Sequence, residues 1–127
     1  MSRAALPTEA VRFTPGYSWR LDLDIRFDGE RPDDWPAWTI RMHIWTAGQA
    51  FTLTNDAGVT FEEIAGLPGG AAVIPVIVMS VAQTEALRDV TAPIQYLIDL
   101  KAPEGEAEDY FAGALAKQPG PPAELLT

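Results

Sequence analysis

The side chains best able to do chemistry in this sequence are few and scattered. There is one histidine, His43, and no cysteine, which removes disulfides, thiolate metal sites and a cysteine nucleophile, and with them most zinc sites. His43 falls on the polar side of an alternating segment beside Arg41, with no carboxylate near it in sequence to orient it as a general base. Asp22 and Asp24 stand two apart on one strand face, as a catalytic carboxylate pair might, but Arg20 and Arg26 share that face, which makes it a solvated surface of alternating charge. His43, Asp22 and Asp24 are therefore read as dispensable for chemistry.

Oxygen ligands for a cation occur at Asp33-Asp34 and along Glu104, Glu106, Glu108 and Asp109. They lack the fixed spacing of a calcium loop and read as solvated acidic loops. Gly66, Gly69 and Gly70 are turn residues, since no GK[ST] or GxGxxG opens a helix after a strand. No catalytic, metal or cofactor residue is assigned, and no enzyme is expected. The tryptophans say more. Trp19 and Trp38 fall on apolar faces and belong to a core, whereas Trp45 lies on a polar face and Trp35 in a loop between Asp34 and Pro36. Trp35 and Trp45 are the candidate partner anchors, since exposed tryptophans commonly seat interfaces, but packing over the rim of the core is the favoured reading for Trp35, and covering the open end of the sandwich is an equal reading for Trp45.

These residues are positioned by an all-β chain. Residues 17–27, YSWRLDLDIRF, alternate apolar and polar without a fault, so one face of a strand can lie on a core while the other stays wet. Trp38, Ile40, Met42 and Ile44 alternate likewise, as do Phe51 and Leu53 in the following segment, and residues 55–58 (NDAG) form a hairpin-like loop into residues 59–64. Residues 72–79 read as a fifth strand whose Pro75 predicts an edge or a bulge. Ser80 and Gln83 fit a capping box opening one or two helical turns. Residues 94–100 and 109–117 complete the set. The reading is an antiparallel immunoglobulin-like sandwich of about seven strands with one short helical turn, a small closed barrel being the alternative. Its core holds Trp19, Leu21, Leu23, Ile25, Ile40, Met42, Ile44, Phe51, Tyr96 and Ile98.

The 127 residues divide into an arm (1–16), the sandwich (17–117) and a proline-rich tail (118–127). Val11 and Phe13 in the arm, with Leu125 and Leu126 in the tail, are candidates for reaching neighbours, by strand addition and by filling a groove. A formal charge of −9 sets the chain against phosphate backbones and anionic membranes. Residues 1–13 carry no apolar signal core and 71–79 are too few to span a bilayer, so a soluble, unprocessed chain is expected.

In its turn residues the chain resembles a family of small tailed-phage and prophage structural proteins, related in style to the N-terminal domains of baseplate and receptor-binding-protein adaptors. Asp28-Gly29, Pro32, Asp34 and Trp38 occupy the places of that family's turn and following aromatic residue. Ser80 to Leu87 match its capped turn, and Tyr96, Leu100, Pro103, Gly105 and Gly113 its closing motif, so that the resemblance covers residues 17–117. Trp35-Pro36-Ala37 stand where the family has Leu-Thr-Gly. The resemblance implies a non-enzymatic virion component, made in the host cytoplasm, at the tail tip, baseplate or fibre attachment point. It would contact other phage structural proteins in multiple copies of a symmetric assembly, with capsid decoration or a head fibre as the alternative. Another class is a bacterial carbohydrate- or peptide-binding module that uses Trp35 and Trp45 as a platform.

Overall fold

The computed structural model describes residues 11–27, 29–105 and 107–118, and it is all-β with one short helix. A seven-stranded curled sheet runs in the order β2 (Trp19–Asp22), β6 (Ala72–Met79), β5 (Gly58–Ile64), β4 (Gln49–Asn55), β3 (Thr39–Thr46), β7 (Gln95–Lys101), β8 (Ala107–Ala114). A two-stranded sheet pairs β1 (Arg12–Phe13) with β9 (Ala116–Lys117).

The alternation holds over residues 19–26, where Trp19, Leu21, Leu23 and Ile25 are buried and Arg20, Asp22, Asp24 and Arg26 are exposed, while Tyr17 at its start is 45% exposed. The ladder itself ends early, at Asp22, and Pro75 is the reason. Leu23 N–H donates to the Pro75 carbonyl at 2.9 Å, and a strand residue's N–H and C=O point to the same side, so the return donor is the one that proline lacks. Pro75 thus sits neither on an edge strand nor at a bulge. It lies in β6, between β2 and β5, where its missing N–H ends one ladder and leaves the other intact.

All ten residues expected in the core are enclosed except Phe51, which is half-buried against it. β3 supplies Ile40, Met42 and Ile44 from one face and pairs antiparallel with both β4 and β7. The expected hairpin at residues 55–58 is corrected by the pairing. β4 and β5 meet in parallel at Thr54↔Gly58 and Asn55↔Val59, so the chain crosses from one strand neighbourhood to the next and does not fold back. With the parallel β1–β9 pair, this makes the sheet structure mixed, where antiparallel pairing throughout was expected. The corner depends on Gly58, at φ 105°, where a Cβ would lie 2.7 Å from Leu53 Cδ2. Asn55 seals the gap left as β4 turns away, accepting from Ile40 N–H at 3.0 Å and donating to the Trp38 carbonyl at 2.7 Å.

The arm is the largest departure from the sequence reading. From Val11 onward it belongs to the folded body: Val11 and Phe13 are buried in the chain's own core, and the arm is held by the far end of the chain. Ala116 N–H donates to Val11 O and Gln118 N–H to Phe13 O, both at 2.8 Å. Alternation did place Val11 and Phe13 on one apolar face, but β9 closes that face from within, so neither is free to extend a neighbour's sheet. The helix α1 (Val81–Glu85) carries the predicted capping box, Gln83 N–H to Ser80 Oγ at 3.1 Å and Ser80 N–H to Gln83 Oε1 at 2.8 Å. Buried Thr84 then ties the helix to the arm, its hydroxyl donating to Tyr17 O at 2.8 Å and accepting from Gly16 N–H at 3.2 Å. Lys117 Nζ caps the turns that follow α1, donating to Arg88 O at 2.7 Å and Leu87 O at 3.3 Å.

Candidate functional site

Two surfaces gather the residues singled out from sequence. The first is the outer face of β3, β4 and β7. Because Ile40, Met42 and Ile44 face inward, Arg41, His43 and Trp45 must face outward. His43 lies opposite Thr52 on β4 and Leu97 on β7, and Arg41 lies opposite Asp99. Asp99 is the carboxylate that sequence proximity did not supply. Buried on this face, it accepts from Arg41 Nε at 2.9 Å and from His43 Nε2 at 3.0 Å, while His43 Nδ1 stands 3.0 Å from the Thr52 hydroxyl.

With an ionised carboxylate at Asp99, which can only accept, a neutral imidazole at His43 would carry its proton on Nε2 and leave Nδ1 to accept from the Thr52 hydroxyl. Hydroxyl, imidazole and carboxylate in a row are the parts of an activated nucleophile. Here they lie along one row of an open sheet face, with Arg41 drawing on the same carboxylate, and they stitch three adjacent strands together. Asp22 and Asp24 are not brought to them. Asp22 accepts from neighbouring Arg20 at 2.8 Å, which also reaches Glu62 at 3.4 Å.

Trp45 stands near the end of this row, beside Ala50 and Gln95, with 40% of its surface exposed. Ala50 is too small to cover the indole, which stays partly exposed.

The second surface is the loop of residues 30–37. A 3₁₀ turn, Trp35–Ala37, carries Pro36 in its opening positions, where an N–H needs no partner, and buries Trp35. Trp35 is completely buried, 4.9 Å from Trp38 and 6.3 Å from Phe27 between ring centroids. Among the described residues its indole Nε1 has no acceptor. Trp35 is therefore core and not a surface anchor, and no pair of exposed rings is formed with Trp45. Leu125 and Leu126 lie outside the described residues.

Trp38 remains half-buried, stacked on Phe27 at 5.6 Å and 19°, with its Nε1–H donating to Asp34 Oδ1 at 2.8 Å. Arg31 anchors the loop by a bidentate pair with Asp24, at 2.5 and 3.0 Å, and by donating to Pro68 O at 2.6 Å. The hydrogen bonds from Arg31 hold the Asp24 carboxyl below its ordinary value of 3.8. A depressed carboxylate adds stability that is present above its unfolded pKa and is lost as pH falls through the folded one. Asp24→Asn is therefore expected to destabilise at neutral pH, with the difference from wild type narrowing as pH drops below 3.8. Urea midpoints of both proteins between pH 7 and pH 3 check this, and a difference that stays constant with pH would break the link to Arg31.

Compared with known proteins, the chain matches no family model, no curated protein and no solved structure.

Proposed function

We propose that this chain is a non-enzymatic structural component of a tailed-phage particle, at the tail tip, baseplate or fibre attachment point, where it docks other virion proteins in multiple copies. The observation that carries the reading is the outer face of β3, β4 and β7, where an exposed Trp45 stands among small and polar neighbours on an open sheet. A large aromatic presented this way is suited to anchoring a protein partner. In the same reading the curled sheet is an immunoglobulin-like sandwich. It turns at residues 55–58 into a layer of β2, β6 and β5 and a layer of β4, β3, β7 and β8, and residues of both line one core.

Two residues of the phage-like pattern also acquire a physical role. Tyr96 and Gly113 are cross-strand partners, and a Cβ on Gly113 would lie 3.2 Å from the Tyr96 ring, so the tyrosine packs closely over a position where a side chain would be tight.

Mass spectrometry of purified particles from the strain carrying the gene is expected to find the chain in several copies per particle. Trp45→Ala is expected to lower its incorporation about tenfold or more while leaving the chain folded, as loss of an interface anchor does. Crosslinks to capsid rather than tail proteins would move it to the head, and absence from particles would overturn the reading.

A further inference from the structure

Trp38 and Phe27 do more than fill space under the loop of residues 30–37. Beside them opens a cleft of about 480 Å³, lined also by Glu30, Arg31, Pro32 and Asp33. Across the same three loop residues a second cleft, of about 300 Å³, is lined by Pro36, Ala72 and Val73, whose side chain is 41% exposed. The two adjoin at Arg31, Pro32 and Asp33, which line both, and the groove they make has an aromatic end and an aliphatic end. The turn under the aromatic end is fixed before anything binds, with Phe27 N–H donating to Glu30 O at 2.7 Å and Glu30 N–H to Phe27 O at 3.0 Å.

The charge of the groove is set by what its one cation does. Arg31 is held by Asp24 and the Pro68 carbonyl, which leaves Glu30 and Asp33 as exposed carboxylates that, among the described residues, enter no ion pair. They stand in the field of a chain of net charge −9. An aromatic pair at an acidic cleft matches a planar cation, since a guanidinium stacks on aromatic faces and offers donors to carboxylates at its edge.

We propose that this groove binds an arginine side chain of a partner protein segment, stacked at the Phe27–Trp38 pair and hydrogen-bonded by Glu30 and Asp33, with an adjoining apolar residue against Pro36, Ala72 and Val73. The inference rests on the reading of the chain as a docking module and gives it a second contact, separate from the Trp45 face.

The test uses the full chain and two probes, N-acetyl-Arg-Leu-amide and its isosteric neutral analogue N-acetyl-citrulline-Leu-amide, with the indole Nε1–H resonances followed by NMR. The arginine probe is expected to shift the Trp38 resonance saturably and leave that of Trp45 in place. Affinity should fall about tenfold or more for the citrulline probe, for the Glu30→Gln/Asp33→Asn variant, and on raising salt from about 0.05 to 0.5 M. Both substituted residues are exposed, and an unmoved Trp45 resonance reports that the variant is folded. Equal binding of the two probes, retention of binding by the double variant, or no shift at Trp38 would each overturn the proposal. Those outcomes, with the chain still found in particles, would leave docking through Trp45 standing. Groove binding by a chain absent from particles would remove the phage reading alone.

Discussion

Phe13→Ala is expected to destabilise the protein by about 3–5 kcal/mol, the range for removing a buried phenylalanine from a packed core. The ring is 2% exposed and belongs to the same buried cluster as Val11, Leu115 and the β3 residues Ile40, Met42 and Ile44. Its backbone is tied to the β9 end of the chain, by Phe13↔Lys117 pairing and by Gln118 N–H on its carbonyl, which limits how far it can shift to close the cavity left behind. Arg12, one residue away and facing out, supplies the control: Arg12→Ala should stay within about 0.5 kcal/mol. Urea unfolding of the three proteins decides it. Equal losses at the two positions would return this part of the chain to the status of a loose arm. The expectation from sequence that the arm (1–16) and tail (118–127) can be removed together with thermal stability kept within about 1 kcal/mol, given their proline and glycine and their sparse apolar content, is abandoned on the same ground.

What could be read from the sequence and what could not divide along a physical line. Alternation is a local property, so the inward set Trp19, Leu21, Leu23, Ile25, Ile40, Met42 and Ile44 was legible without knowing any strand's partner. The capping box of Ser80 and Gln83 was legible for the same reason, because both partners lie within one turn. Pairing is not local. That β9 would close over Val11 and Phe13, or that Asp99 would come to His43 from 56 residues away, depends on strand order, which alternation does not encode. The crossing at residues 55–58 misled for a related reason. Asp56 at φ 62° and Gly58 at φ 105° are the residue types of a hairpin turn, but positive φ at two positions fits a corner between strands as well as it fits a reversal. The candidate site shows the same division. Trp45 was placed outward by its parity on β3, whereas Trp35 sits in a loop where no periodicity applies, and only the 3₁₀ turn sends its ring inside.

Those two tryptophans, grouped by sequence as surface anchors, should now separate by several kcal/mol. Trp35→Ala is expected to cost about 3–5 kcal/mol, since the ring is fully enclosed and its loss strips contacts from Trp38 and Phe27 together. Trp45→Ala should cost much less, about 1 kcal/mol, because the residue is 40% exposed and its truncation opens no enclosed cavity. Trp35→Phe distinguishes packing from polarity at the buried position. It surrenders part of the ring's volume but also removes the indole N–H that lacks an acceptor among the described residues, a group whose burial costs about 1–3 kcal/mol, so its loss should be much smaller than that of Trp35→Ala. The expected order of urea midpoints, highest first, is wild type, Trp45→Ala, Trp35→Phe, Trp35→Ala. A Trp35→Ala protein as stable as Trp45→Ala would place the Trp35 ring at the surface and reopen its candidacy as a partner anchor. A Trp35→Phe protein as unstable as Trp35→Ala would mean that the indole N–H has an acceptor and contributes to the fold.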